Sequence, residues 1–287
     1  MSAGVGATAR PIRSAAPHVT DTLVFSHANS FPLPVYRRLF AALETEGFAC
    51  QGVPRFGHDP ARPPTVGWPH LIDELLEHID SLPARGRLWL VGHSLGGYLS
   101  VLAAARLGTR VAGVVMLDSP VIAGRAEAMV RVGRVTGLDR LVMPIRQTLE
   151  RCRAWPDVDA AHAHYAAKPM FARWHPEVLR DYAEHGTVEA EDGGRRLWFA
   201  PEVEFRIYRS LPTSEVVRAG ARLRAPVAFL AGRQSREVRQ VGLRATRRLV
   251  GERLHWIDGS HLFPMERPDD TAALIARAIH TMRAPSP

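Results

Sequence analysis

Residues 88–97 read Leu-Trp-Leu-Val-Gly-His-Ser-Leu-Gly-Gly, and they decide the fold. The first four are apolar and are followed by glycine, a pattern typical of a buried strand. Ser94 then stands between Gly92 and Gly96, and an alanine-rich helix is predicted from Leu95 onward. A serine on so tight a turn needs small residues two positions before and after it, because the backbone approaches its neighbours there. The stretch therefore predicts a strand–turn–helix unit that presents Ser94 at the end of a strand.

The same alternation of strand and helix extends in both directions from this unit. Apolar runs predict strands over residues 23–25, 48–53, 87–91, 111–117, 227–231 and 254–257. Apolar residues at helical spacing predict helices over residues 35–43, 68–79, 95–107 and 237–250, and a last helix opened by Pro268. Such alternation indicates parallel strands joined by crossover helices. We therefore expect an α/β fold, with a mostly parallel sheet and helices on both faces.

The alternation stops in residues 121–220. This segment contains helix-like stretches and a turn-rich Glu-Asp-Gly-Gly at residues 191–194, but no long apolar strand. We interpret it as a helical cap inserted into a core made of residues 21–120 and 221–287, with residues 1–20 as a flexible tail. Large apolar side chains of the segment could roof a pocket or form the core of the cap itself: Trp155, Met170, Phe171, Trp174, Trp198, Phe199 and Phe205.

The turn Gly-His-Ser-Leu-Gly-Gly at residues 92–97 resembles the nucleophile elbow of the α/β-hydrolases, in particular of their capped, esterase-like branch. The resemblance covers nearly the whole chain from about residue 22. It implies Ser94 as nucleophile and a histidine after the last strand as general base, a place that His261 occupies in Gly-Ser-His-Leu-Phe-Pro. A base is needed because a serine hydroxyl is a poor nucleophile at neutral pH. The expected reaction is hydrolysis of a carboxylic ester or related acyl compound through an acyl-serine intermediate.

The resemblance leaves the acid of the triad open between two carboxylates. The family usually has an aspartate in a Gly-x-x-Asp turn after the strand at residues 227–231, and this chain has Ser235 there. Asp118 follows the strand at residues 111–117, from which some family members take their acid. Glu237 lies two residues beyond the usual place, but it begins a helix, where a carboxylate complements the helix dipole. We favour Asp118 over Glu237.

Two backbone N–H groups are expected to form an oxyanion hole. Leu95, which follows the nucleophile, supplies one of them. The loop at residues 25–32 resembles the family's His-Gly-x loop with Ala28 in the glycine position, which implies Asn29 as the second donor. Three residues near these groups are expected to bind substrate: His27, Phe31 and His93.

Composition and charge give expectations about partners. The chain has 287 residues, of which 46% are hydrophobic and 23% charged, as in ordinary globular proteins. The 37 Lys and Arg against 29 Asp and Glu give a net charge of +8, but the arginines are scattered and no nucleic-acid-binding signature accompanies them. We therefore expect a small-molecule acyl substrate, no nucleic acid and no membrane as partners, and leave a homodimer open.

The sequence also gives expectations about cofactors and compartment. Cys50 and Cys152 make no metal-binding spacing, and His162 and His164 would not share a helix face. We therefore expect neither a cofactor nor a metal ion. No secretory signal and no apolar stretch of about 20 residues are found, so a cytoplasmic protein with reduced thiols is expected.

Two alternatives to ester hydrolysis remain open. The same triad could serve carbon–carbon bond hydrolysis, thioester hydrolysis or acyl transfer, and no residue separates these reactions. The absence of the usual acid at Ser235 would instead permit a ligand-binding pseudoenzyme, in which the pocket survives without turnover.

Overall fold

The computed structural model describes residues 20–136 and 151–283. The tail predicted for residues 1–20 lies outside them apart from Thr20, and so do residues 137–150 of the predicted cap and residues 284–287 of the predicted core. In the described ranges, no helix is both long and apolar enough to cross a lipid bilayer.

The described chain alternates strands and helices. Its strands are β1 Asp21–Ser26, β2 Phe48–Gln51, β3 Leu88–His93, β4 Val111–Leu117, β5 Ala154–Trp155, β6 Thr187–Glu189, β7 Arg195–Leu197, β8 Val227–Gly232 and β9 Leu254–Ile257. Its α-helices are α1 Arg37–Thr45, α2 Pro69–Ser81, α3 Leu95–Leu107, α4 Arg125–Thr136, α5 Val158–Ala166, α6 Pro176–His185, α7 Pro201–Arg209, α8 Ser214–Gly220, α9 Arg236–Val241, α10 Arg244–Val250, α11 Phe263–Glu266 and α12 Pro268–Arg283. Short 3₁₀ helices at Leu33–Tyr36 and Gly108–Arg110 precede α1 and β4.

Six strands form one parallel sheet in the order β2-β1-β3-β4-β8-β9, which confirms the predicted mostly parallel sheet. From β1 the chain moves outward to β2, then returns to β3 and continues in the opposite direction to β9. The strand order therefore reverses between β1 and β3. In open parallel sheets a ligand-binding crevice forms at such a reversal, outside the carboxyl ends of the strands. The loop that begins at His27 and the turn that carries Ser94 both lie there.

Side chains alternate between the two faces of the sheet, and helices cover both faces. On β1, Leu23 and Phe25 belong to one apolar core and Val24 to the other. The first core includes α1 and α12, which pack on each other, and the second includes α2 and α3. Because both faces are buried, β4 is apolar throughout, and this made it conspicuous in the sequence. Both β4 and α3 have the predicted bounds.

The single helix predicted over residues 237–250 is wrong, since the structure has two helices there, α9 and α10. Gly242 follows α9 with a φ of 73°, a conformation that ends an α-helix. Val238 before the break and Val250 after it are both buried. The helical spacing of apolar residues thus continues across Gly242. For this reason the sequence pattern predicts one helix and does not reveal the break.

Between β4 and β8 the described chain leaves the main sheet. It forms helices α4 to α8 and a small antiparallel sheet in the order β5-β7-β6. The turn-rich residues 191–194 join β6 to β7. The segment is therefore not purely helical. Strands of two or three residues have too few positions for an alternating apolar pattern, so the sequence did not reveal them.

Aromatic rings of this segment pack into an apolar cluster. Tyr165, Phe171, Trp174 and Tyr182 contact one another with ring centroids between 4.7 and 5.6 Å apart. Phe31 from the loop after β1 joins them, at 5.6 Å from Trp174 and 5.4 Å from Tyr182. The expected substrate-binding role of Phe31 is thus corrected, because its ring packs in this cluster and joins the loop to the inserted segment.

Candidate active site

Ser94 occupies a strained turn between β3 and α3. Its φ of 54° and ψ of −115° lie outside the regions favoured by residues with a Cβ. Its N–H donates to the carbonyl oxygen of Leu117 on β4 at 2.9 Å, which continues the pairing of the two strands beyond His93. Strain of this kind costs about 1 to 3 kcal/mol and persists only where the surrounding structure holds it. Here the β3–β4 pairing holds it at the carboxyl edge of the sheet.

The two glycines that flank Ser94 allow backbone segments to touch. A Cβ on Gly92 would lie 2.0 Å from the carbonyl oxygen of Gly96, and a Cβ on Gly96 would lie 1.8 Å from the carbonyl oxygen of Ser26. A methyl group cannot approach a backbone oxygen so closely. The turn therefore requires glycine at both positions because of these contacts, as the sequence pattern indicated.

Replacing Gly96 with alanine is expected to destabilise the protein by about 3 kcal/mol or more, because rigid backbone cannot make room for the added methyl group. Urea denaturation measures this loss. Gly251→Ala is the matched control, since Gly251 has a φ of 58° but nothing within 4 Å of an added Cβ. It should lose only the backbone strain of about 1 to 3 kcal/mol that a residue with a Cβ meets at this φ and at the ψ of −129°. Equal losses in the two variants would contradict the contact argument.

His261 lies in the loop after β9 and reaches the serine. Its Nε2 is 3.0 Å from Ser94 Oγ, and its Nδ1 is 2.7 Å from Asp118 Oδ2. A proton on Nδ1 is donated to the carboxylate, and this leaves the Nε2 lone pair to accept the serine proton. The three side chains therefore form a continuous hydrogen-bonded chain from carboxylate to hydroxyl, which is the arrangement that activates a serine nucleophile.

Asp118 is held rigidly at the end of β4. It is fully buried and has a φ of 48°. Its Oδ1 accepts the N–H of Gly232 at 2.8 Å, and its Oδ2 accepts the hydroxyl of Ser235 at 2.5 Å. Gly232 is the last residue of β8, which pairs with β4, and Ser235 lies in the turn that follows it. The residue at the usual acid position thus contributes a hydrogen bond to the carboxylate that replaces it.

Glu237 lies near His261 but is not hydrogen-bonded to it. Its Oε2 is 3.7 Å from His261 Nδ1, and its side chain is 45% exposed. Asp118, and not Glu237, therefore accepts the hydrogen bond from His261 Nδ1–H. Burial lowers the pKa of His261, but the hydrogen bond and charge of Asp118, together with the charge of Glu237, outweigh burial and raise that pKa above its ordinary value.

A cavity of about 670 Å³ opens over Ser94. Its described wall is mainly apolar, and its apolar and aromatic side chains are Trp68, Leu95, Tyr98, Pro120, Ile122, Ala126, Ala128, Met129, Val130, Val132, Ile207, Tyr208, Leu211 and Val241. Charged groups on this wall are Asp118, Glu237 and Arg134, and the Arg134 guanidinium donates to the carbonyl oxygen of Leu211. None of the seven large side chains that could roof a pocket or form the core of the cap is among the described wall residues. Helices α4 and α7 supply that part of the wall instead.

The two expected oxyanion donors lie on the same wall as Ser94. Leu95 is the first residue of α3, and an α-helix leaves the N–H groups of its first turn without a partner inside the helix. The N–H of Asn29 has no acceptor within residues 20–136 and 151–283. The Asn29 side-chain amide donates to the carbonyl oxygen of Glu204 at 3.1 Å, which fixes the loop against α7. Both N–H groups are therefore available to a developing negative charge.

His27 holds this loop by hydrogen bonds from inside the protein. Its expected role in substrate binding is therefore corrected. The side chain is fully buried, and both ring nitrogens are used. Its Nδ1–H donates to the carbonyl oxygen of Ala28 at 2.8 Å, and its Nε2 accepts the N–H of Phe56 at 3.1 Å. Burial lowers the pKa of His27 to about 4, which agrees with a neutral ring that accepts at Nε2.

His93 is also fully buried and is not among the described wall residues, which corrects its expected role in substrate binding. Its Nδ1 accepts the hydroxyl of Tyr36 at 2.8 Å, and its Nε2–H donates to the carbonyl oxygen of His261 at 2.8 Å. The Tyr36 hydroxyl itself accepts the N–H of Ala28 at 3.1 Å. Hydrogen bonds thus connect the oxyanion loop to the His261 loop. The sequence does not predict this role of Tyr36, because its spacing indicates only a place on the apolar face of a helix.

Removal of the hydroxyl in Tyr36→Phe is expected to lower stability by about 1 to 3 kcal/mol, because two buried groups lose their partner. We also expect a fall in kcat with less change in KM, since Tyr36 positions both loops without contacting substrate. Urea denaturation and steady-state kinetics measure the two effects. If kcat stayed the same while stability fell, the connection would serve the fold alone.

Glu266 holds the loop that carries His261. Its Oε2 accepts the N–H of Ser260 at 3.0 Å, and its Oε1 accepts the Ser260 hydroxyl at 2.5 Å. Arg173 of the inserted segment pairs with the same carboxylate at 3.3 Å. The loop is therefore anchored next to the histidine. No sequence pattern connected Glu266 to the site, because its contacts depend on how the loop folds back on α11.

Comparison with known proteins identifies the family of the chain. The model of the alpha/beta hydrolase family matches residues 23–274. A curated relative, the 2-(acetamidomethylene)succinate hydrolase of Mesorhizobium japonicum, is 29% identical over 230 residues, which are 79% of this chain and 76% of the relative. These matches support a hydrolase.

Two solved structures share the fold. The crystal structure of E-2-(acetamidomethylene)succinate hydrolase has a TM-score of 0.71 at 24% identity and covers 91% of this chain and 92% of that chain. The thioesterase domain from the curacin biosynthetic pathway has a TM-score of 0.68 at 19% identity and covers 93% of each chain. The parallel sheet with helices on both faces is an α/β-hydrolase fold, as expected. Because the family model spans residues 23–274, the chain belongs to the alpha/beta hydrolase family.

Proposed function

We propose that the protein is a serine hydrolase that cleaves a carboxylic ester or related acyl compound through an acyl-serine intermediate. The observation that carries this proposal is the hydrogen-bonded chain from Asp118 through His261 to Ser94, which opens on a mainly apolar cavity. Neither a cofactor nor a metal ion is needed for this reaction.

In the proposed reaction Ser94 Oγ attacks the acyl carbon while His261 Nε2 takes its proton. The carbonyl oxygen becomes an oxyanion, and the N–H groups of Leu95 and Asn29 donate to it. His261 then gives the proton to the leaving oxygen, the bond to the alcohol breaks, and the acyl group stays on Ser94. Water attacks the acyl-serine in the same way, releases the acid and restores the hydroxyl.

The cavity favours an uncharged substrate with an apolar acyl or alcohol part. Apolar side chains make up most of its described wall, and burial of such surface is worth about 25 cal/mol per Å². Two carboxylates, Asp118 and Glu237, lie close to Ser94, whereas Arg134 already contacts a backbone carbonyl. The name of the Mesorhizobium relative includes a succinate, which is a dicarboxylate. The described wall thus carries two carboxylates against one guanidinium, which disfavours a second negative charge on the substrate, so we propose a different substrate for this chain.

We further propose that residues 121–220 act as a cap on the core of residues 21–120 and 221–287. Helices α4 and α7 from this segment line the cavity. The proposed partner is a small acyl compound, and the proposed compartment is the cytoplasm. The thiols of Cys50 and Cys152, which do not pair with each other in the structure, would stay reduced there.

A fluorophosphonate probe tests the mechanism, because only an activated serine reacts with it. We expect the probe to label the unsubstituted protein and not Ser94→Ala. A p-nitrophenyl ester series from acetyl to octanoyl then tests the cavity, and kcat/KM should rise with acyl length. An ester with a terminal carboxylate should react at least about tenfold more slowly than its uncharged counterpart of equal length. Absence of labelling would favour a ligand-binding protein, and preference for the carboxylate would refute the substrate class.

A further inference from the structure

Three side chains at the acid end of the triad bring one potential ligand atom each close to the other two. These atoms belong to Asp118, Glu237 and His261, and all lie within 4.8 Å of one another. His261 Nδ1 is 2.7 Å from Asp118 Oδ2 and 3.7 Å from Glu237 Oε2. Hydrolysis uses only the first of these contacts, so the chemistry of the triad leaves Glu237 unexplained.

An imidazole nitrogen and two carboxylate oxygens are ligands typical of Zn²⁺ and neighbouring transition metals. In a tetrahedral zinc site with bonds of about 2.0 Å, the ligand atoms are about 3.3 Å apart. The two measured distances from Nδ1, 2.7 and 3.7 Å, lie on either side of that value. Small shifts of His261 and Glu237 would therefore fit the ion, and water would supply the fourth ligand.

The surroundings allow an ion to enter and the ligands to adjust. All three residues line the cavity over Ser94, and an ion would enter from the side of Glu237 and His261, because their side chains are 45% and 20% exposed whereas that of Asp118 is fully buried. Asp118 is fixed by the N–H of Gly232, whereas Glu237 is 45% exposed and free to approach. The Ser235 hydroxyl donates to Asp118 Oδ2 and lies 3.3 Å from Glu237 Oε2. It can therefore donate to Glu237 instead when an ion occupies Asp118 Oδ2.

We propose that Asp118, Glu237 and His261 form a reversible inhibitory site for a divalent transition-metal ion of the zinc class. In the working enzyme the one proton of the neutral imidazole lies on Nδ1. An ion bound to Nδ1 uses the lone pair of that nitrogen, so the proton of the neutral imidazole must lie on Nε2 instead. There it faces Ser94 Oγ. The histidine can no longer accept the serine proton, so the ion stops the reaction without occupying the oxyanion hole. Inhibition rests on the proposed function, whereas binding of the ion does not.

Binding is tested with Ser94→Ala, which keeps the three ligands and cannot turn over. We expect isothermal titration with ZnCl₂ to show one ion per chain, and Co²⁺ to give the absorption bands of a tetrahedral site. Adding Glu237→Gln should weaken Zn²⁺ binding at least tenfold, because an amide is a poor ligand. Adding Glu252→Gln is the matched control, since Glu252 is exposed and precedes β9. It therefore lies at the amino ends of the strands, whereas the site lies at their carboxyl ends. Mg²⁺, which prefers six oxygen ligands, should not bind.

Inhibition is tested with the unsubstituted enzyme. Zn²⁺ should inhibit reversibly, EDTA should restore the rate, and the inhibition constant of Glu237→Gln, measured against its own uninhibited rate, should rise at least tenfold. Equal Zn²⁺ binding with and without Glu237→Gln, binding that survives His261→Ala, or no binding would overturn the proposal. Zn²⁺ binding that depends on Glu237 in a protein that hydrolyses no ester would support the metal site and refute the proposed function.

Discussion

Ser94→Ala is expected to abolish ester hydrolysis, with a loss in kcat of about 10⁴- to 10⁶-fold. The reason is that Ser94 Oγ is the atom in contact with His261 Nε2, and alanine has no atom there. The free energy of unfolding should change by less than about 0.5 kcal/mol, since the main interactions of the turn are made by the backbone. Steady-state kinetics and urea denaturation of the same preparation measure the two quantities.

His261→Ala provides the second half of this test. We expect a loss similar to that of Ser94→Ala, because without the base the hydroxyl keeps its proton. The double variant should be little worse than either single one, since the members of a triad act as a unit. If the two losses multiplied, the residues would act independently, and the serine mechanism would be refuted.

The sequence predicts the main sheet well and the inserted segment poorly. Strands such as β4 are buried on both faces and therefore stand out as apolar runs. In contrast, β5 has two residues and takes its place by pairing with β7, which lies far along the chain. A pairing of that kind leaves no periodic signal within either strand. The break at Gly242 was missed for a related reason, because burial on both sides of it kept the helical spacing.

The candidate site shows the same division between local and distant information. Ser94 could be predicted because the glycines and the helix that define its turn are its immediate neighbours. The sequence predicts that His27 and His93 bind substrate only because they lie within two residues of Asn29 and Ser94. Their rings point into the protein, where both nitrogens of each ring are hydrogen-bonded. The direction of a loop side chain depends on packing, which adjacency in sequence does not reveal.

The position of the acid follows from sheet register. Leu117 pairs with His93 on one side and with Leu230 on the other, so the residue after β4 lies between the nucleophile turn and the end of β8. A carboxylate at that point reaches the His261 loop. Ser235, at the usual acid position, reaches the same carboxylate with its hydroxyl. The chain thus departs from the family pattern and has the carboxylate that contacts His261 on a neighbouring strand.

Asp118→Asn is expected to lower kcat by about 10³- to 10⁴-fold with little change in stability. The amide keeps the volume of the carboxylate, and asparagine tolerates the φ of 48° found at this position. Its oxygen can still accept the N–H of Gly232, as Oδ1 does now. Its NH₂ group would then face His261 Nδ1 and donate to it. The histidine proton would lie on Nε2, where it cannot take the proton of Ser94.

Glu237→Gln removes the same charge at the second carboxylate and is the matched comparison. It is expected to change kcat by less than about tenfold, because Glu237 Oε2 is 3.7 Å from Nδ1 and Asp118 keeps the hydrogen bond that fixes the tautomer. Kinetics of both variants, with urea denaturation to show that each is folded, decide between the carboxylates. A large loss confined to Glu237→Gln would transfer the role of acid to Glu237. Small losses in both would contradict the assignment of Asp118 as the acid of the triad.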